Sequence, residues 1–113
     1  MRNDIIVQKL IAYVEKILAY CNGVDYESFT HNSQLVEACV FNLSQIGELA
    51  NRIDPEFAEK ATNVPWKQIY GLRNRIVHDY EGVNLQLVWE VIETDLPELK
   101  RAMTEPRNLL NFE

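Results

Sequence analysis

The apolar residues of this chain recur every three or four positions, and nowhere do they alternate with period two over a useful length. That pattern excludes a half-buried sheet and points to amphipathic helices. Residues 4 to 21 read as a first helix, with Ile6, Leu10, Val14, Ile17 and Cys21 on one stripe and Ile11 and Leu18 widening it. Asp4 is its expected N-cap, and Asn22-Gly23 its stop, because Gly tolerates the left-handed conformation in which helices often finish. Val24 to Asn32 is a short connection with room for one helical turn around Tyr26 to Phe29.

A long second helix follows, capped by Asn32 or Ser33 and running to about Ile53. Leu35, Cys39, Leu43, Ile46, Ala50 and Ile53 form one stripe, with Val36, Val40 and Gly47 beside it. So wide a face has more to bury than one neighbour covers, which hints at a partner chain. Gly47 costs this helix about 1 kcal/mol relative to Ala. Either a close helix crossing explains it or it is a tolerated defect.

Asp54-Pro55 opens a short third helix, and Asn63-Val64-Pro65 repeats the device for a fourth. Trp66, Ile69, Tyr70, Leu72, Ile76 and Val77 give the fourth helix its apolar face. It should end near His78, with Gly82 as the stop. Asn84 starts a fifth helix with Leu87, Val88, Val91, Ile92 and Leu96 inward, and Pro97 should kink or restart it. The tail from Thr104 to Glu113 is either frayed or docked as an apolar latch. The expectation is one domain over residues 1–113, an all-α antiparallel bundle of about five helices.

Composition narrows the function. No apolar run is long enough to span a bilayer, and Arg2 and Asp4 precede no long apolar core of a secretory signal, so a cytoplasmic protein is expected. Cys21 and Cys39 suit two buried thiols rather than a disulfide framework. The net charge of -6 argues against a broad nucleic-acid track. Yet Lys67, Arg73 and Arg75 against Asp79 make residues 65 to 80 positive on an acidic body, which suits a confined phosphate-binding cleft. No His, Cys or carboxylate spacing suggests a metal site, and there is no Gly-rich phosphate loop.

The chemistry concentrates in Gly71-Leu72-Arg73-Asn74-Arg75-Ile76-Val77-His78-Asp79-Tyr80. On an ideal helix, at about 100° per residue, Asn74 and His78 are neighbours at i and i+4, and Arg73 and Tyr80 fall near one face. Arg presents a planar fork to phosphate oxygens, and His moves a proton near neutral pH. Together they suit phosphodiester cleavage without a metal. His78 would take the proton of a ribose 2′-OH, and Arg73 would stabilise charge on the phosphoryl oxygens. Efficient transesterification wants an acid as well as a base, and a two-fold dimer would supply a second His78. On spacing alone a plainer reading stands beside this one. Arg73 and Arg75 would then be exposed helix residues, His78 a favourable cation at a helix C-terminus and Tyr80 a core aromatic.

The stretch from Pro65 to Tyr80, with its Arg-x4-His-x-Tyr core, resembles the signature of HepT-like proteins in the HEPN superfamily of all-α domains. Ser44-Gln45-Ile46-Gly47-Glu48-Leu49-Ala50 on the second helix is similar to that family too. The resemblance implies a homodimeric HEPN-like bundle and the toxin half of a type VII HepT/MntA toxin–antitoxin module. It implies a metal-independent endoribonuclease acting on RNA, with Arg73 and His78 catalytic at a shared dimer cleft and Asn74 in support. It also implies a minimal nucleotidyltransferase partner of the MntA kind, which transfers AMP from ATP onto the Tyr at position 80. The added bulk and charge would oppose RNA entry. The alternative is a catalytically silent HEPN module that binds a nucleotide or that partner.

Overall fold

The computed structural model describes residues 2–61, 64–77 and 84–104. Every regular element among them is helical: α1 (Asn3–Tyr20), α2 (Tyr26–Thr30), α3 (Ser33–Ala50), α4 (Pro55–Lys60), α5 (Trp66–Val77), α6 (Leu85–Glu90) and α7 (Leu96–Thr104). A π-helical turn, Val91–Asp95, joins α6 to α7. The backbone stays right-handed through both joins, at Val91 and Leu96, so the segment from Leu85 to Thr104 is one helix with a wide turn inside it. The all-α expectation holds, with the suggested turn near Tyr26 present as α2.

The punctuation marks of the sequence mostly act where they stand. The Asn32 side chain accepts from the N–H of Leu35 at 3.1 Å, and that of Asn84 from Leu87 at 3.1 Å. Each satisfies one of the free donors of a helix start. Asp25 caps α2 in the same way, accepting from the N–H of Ser28 at 2.8 Å, and this bond holds its carboxyl below the ordinary value. Gly23 adopts φ +75°, the left-handed turn after α1. Pro55 opens α4 as expected.

Two expectations shift, and a third finds its local cause. Arg2, not Asp4, is the N-cap position of α1, and no side chain caps it; the Asp4 carboxylate pairs with the Arg2 guanidinium at 2.8 Å. A guanidinium two residues away competes for the carboxylate with the weaker backbone donors. Next, α5 begins at Trp66, and Pro65 lies just before it, its carbonyl accepting from the N–H of Ile69 at 3.1 Å. At Pro97, where a kink or restart is expected, α7 begins at Leu96 directly after the π turn. The N–H of Leu96 donates five residues back, to the Val91 carbonyl. That wider turn precedes a ring that, in a regular α-helix, would clash with the carbonyl four residues back.

The core explains the width of α3. Cys39, Leu43, Ile46 and Ala50 are wholly enclosed, and Val40 and Gly47 are buried beside them. Helix α3 packs against α5 as well as α1, so two neighbours within the chain cover the broad face. The suggested partner chain is not needed to account for it. Ile6, Leu10, Val14 and Ile17 of α1 are enclosed with no exposed surface. Each such side chain stabilises the fold by about 1.5–3 kcal/mol relative to leaving it in water. Helices α1 and α3 run antiparallel. Asn3 holds Asp54 just beyond the end of α3, through 3.1 and 3.2 Å bonds, while Cys21 at the other end of α1 meets Cys39. Helix α7 closes the other side of α1, with Lys100 and Glu15 paired at 3.6 Å across the seam. Among the described residues no helix is long and apolar enough to cross a membrane. The tail beyond Thr104 and the stop at Gly82 lie outside the described residues.

Candidate active site

Helix α5 carries the polar motif, and its first turn is the best-anchored part. Trp66 is buried, and its indole N–H donates to the Ala61 carbonyl at 3.1 Å, tying α5 to the end of α4. The Trp66 and Tyr70 rings lie 6.3 Å apart at an interplanar angle of 23°. Burial beneath this corner pushes the Tyr70 phenol above its ordinary value of 10.0. Ile69 and Leu72 point into the core. On the side facing α7, Pro65, Gln68, Ile69 and Leu72 meet Asp95, Leu96 and Leu99 around a crevice of about 20 Å³. That space holds about one water.

The backbone of α5 continues through Arg73 and Asn74 to Val77. Arg73 stands four residues after buried Ile69 and seven after buried Trp66, and Asn74 stands four after half-buried Tyr70. Lys67 and Gln68 occupy the exposed registers. Arg73 therefore takes up a register that earlier in the helix faces inward, whereas Asn74 stands seven residues after exposed Lys67, at the edge of that face. The side chains of Arg73 and Asn74, and all of His78 and Tyr80, lie outside the described residues, so their mutual geometry is an expectation of the sequence alone.

Two other groupings emerge that the sequence pattern does not display. The thiols of Cys21 and Cys39 come within 3.6 Å of each other in the core, both free. Burial pushes both above their ordinary value of 9.0, so they stay protonated at neutral pH. On the outer face of α1, Lys9, Ala12, Tyr13 and Lys16 line a cavity of about 270 Å³. The seven-residue spacing of Lys9 and Lys16 was its only trace in the sequence. Among the described residues no three His, Cys, Asp or Glu side chains are grouped to hold a metal ion. His31 Nδ1 is engaged with the carbonyl of Glu27 at 2.8 Å on the exposed end of α2.

A protein-family model described as Ribonuclease HepT-like matches residues 10–105. Among curated proteins, a candidate RNase of Caldanaerobacter subterraneus subsp. tengcongensis is 38% identical, over 82% of this chain and 89% of its own length. A candidate RNase of Methanocaldococcus jannaschii is 35% identical over 77% of this chain and 80% of its own. A third relative, from Thermococcus cleftensis and bearing the name probable ribonuclease HepT, is 26% identical over 77% of this chain and 79% of its own. No solved structure matches the chain.

Proposed function

Since this chain belongs to the HepT-like ribonuclease family, we propose that it is a metal-independent endoribonuclease whose reacting groups are Arg73 and His78. The observation that carries the reading is the placement of Arg73 on α5, in the register of buried Ile69 and Trp66, five residues before His78. A guanidinium presents a planar fork to phosphate oxygens, and in this reading Arg73 takes the phosphodiester of RNA.

In the proposed step, His78 accepts the proton of the ribose 2′-OH, and the 2′-oxygen attacks the adjacent phosphorus. Arg73 stabilises the charge that gathers on the phosphoryl oxygens. The bond to the 5′-oxygen breaks, and the protonated His78 of a second copy in a homodimer gives that oxygen its proton. The products are a 2′,3′-cyclic phosphate and a free 5′-hydroxyl. Asn74 supports the site at the next register of α5.

The same reading makes the protein a cytoplasmic toxin held in check by an MntA-like nucleotidyltransferase. In that reaction the Tyr80 hydroxyl attacks the α-phosphorus of ATP, pyrophosphate leaves, and AMP remains on the ring. The phosphate then places negative charge two residues from His78, opposing a polyanionic substrate. RNA cleavage by the wild type and by His78→Ala tests the nuclease. Loss of about 100-fold or more in the variant is expected from removal of an acid–base group. A folded His78→Ala protein that cleaves at the wild-type rate refutes it. Absence of cleavage by pure, unmodified wild type would favour the silent binding module, which the net charge of -6 also suits.

A further inference from the structure

The cavity on the outer face of α1 is lined by Lys9, Ala12, Tyr13 and Lys16, none of them assigned to that chemistry. Lys9 and Lys16 are exposed there, two helical turns and so about 10.5 Å apart along the axis. Half-buried Tyr13 lies between them, and the Lys16 ammonium is 5.8 Å from the centre of its ring. The acidic residues of α1 do not neutralise these lysines. Its two carboxylates, Asp4 and Glu15, are engaged by Arg2 at 2.8 Å and Lys100 at 3.6 Å. On a chain of net charge -6, two lysines without a carboxylate partner among the described residues, facing one cavity, form a local positive field. The cavity, about 270 Å³, is slightly smaller than pockets that enclose a whole small molecule, which start near 300 Å³. It has room for part of a chain that passes through.

We propose that Lys9, Tyr13 and Lys16 on α1 form a contact site for single-stranded RNA, the lysines taking phosphodiester groups and the Tyr13 ring a base. Base stacking on an aromatic side chain flanked by cations is the general means of holding single strands without reading their sequence. The site rests on the ribonuclease reading for the identity of its ligand, and it would hold the substrate strand through residues other than those assigned to the reaction.

The test uses the full chain and a labelled 2′-O-methyl oligoribonucleotide, which cannot be cleaved through its 2′-position, with affinity followed by fluorescence anisotropy between 50 and 200 mM salt. For a single strand, each lysine–phosphate contact contributes about 0.7 to the slope of log affinity against log salt. Lys9→Gln/Lys16→Gln should therefore lower the slope by about 1.4. Tyr13→Leu should weaken binding about tenfold, the loss of one stacked base, and leave the slope unchanged. Arg52→Gln/Arg101→Gln removes two exposed cations elsewhere and controls for net charge. The proposal is overturned if the α1 double variant changes the slope no more than this control does, or if wild type binds no strand at all. Retained binding with these signatures but no cleavage of ordinary RNA would instead refute the nuclease and leave the contact site standing.

Discussion

Replacing Trp66 by Phe should loosen the corner on which α5 is mounted, by an amount the structure allows to be worked out. The substitution removes the indole N–H that reaches the Ala61 carbonyl at 3.1 Å. An orphaned buried carbonyl costs about 1–3 kcal/mol. Here the oxygen keeps a second partner, because the N–H of Val64 also donates to it at 3.2 Å. The hydrogen-bond loss therefore belongs at the low end, about 1 kcal/mol. Trp66 is only 7% exposed, so the smaller ring also leaves a void, worth about another 1 kcal/mol if the neighbours relax in part. The total of about 2 kcal/mol corresponds to a fall in Tm of about 8 °C for a domain of this size. Urea unfolding followed by circular dichroism gives the free energy, and the slope with urea should not change, since the surface exposed on unfolding is nearly the same. A loss below 0.5 kcal/mol, a magnitude typical of surface substitutions, would show that this contact does not anchor α5.

Three further predictions concern the scaffold. Asn32→Ala and Asn84→Ala should each cost about 1 kcal/mol in urea unfolding, as lost N-caps. Asp4→Ala should cost less, at most that of an exposed ion pair, about 0–1 kcal/mol, and a larger loss would mean that Asp4 caps α1 after all. The buried thiol of Cys39 makes stability fall at alkaline pH. Its folded-state value is raised, so its contribution is whole below the unfolded value near 9.0 and declines above it, by up to about 1.4 kcal/mol per pH unit. Cys39→Ala should flatten the decline between pH 9 and 10, and parallel curves for the two proteins would refute this.

Much of the scaffold was legible because its signals are local. Asn32, Gly23, Pro55 and Asn84 each act through their own backbone and nearest neighbours, and each does in the structure what its residue type favours. The core stripes were legible for the same reason, since period fixes which face is apolar whatever that face meets. What the sequence could not display depends on partners distant along the chain. The breadth of α3 looks like an unmet need until α1 and α5 are both placed against it. Cys21 and Cys39 stand eighteen residues apart, and only the antiparallel pairing of their helices brings them to 3.6 Å. Asp4 went astray because two plausible partners, a helix start and Arg2, compete within one turn. The residues of the candidate site were legible through their chemistry, as a cation, an amide, an imidazole and a phenol in eight positions, but that chemistry names residues without fixing their geometry.

The charge distribution ties the two proposed RNA contacts to the fold. A chain of net charge -6 repels a polyanion over most of its surface, so binding has to be confined to places where cations gather without carboxylates. Residues 65 to 80 gather Lys67, Arg73 and Arg75 against Asp79 alone. The outer face of α1 presents Lys9 and Lys16 while its own carboxylates are paired elsewhere. Both elements pack on α3, whose enclosed residues hold them in fixed relation. The broad apolar face of α3 then has a functional reason as well as a packing one. In the proposed reading it is the layer on which both α1 and α5, the helices that carry the two positive regions, are mounted. On the proposed reading, adding a negative group beside His78 would oppose the strand at one of these two regions and leave the other unchanged.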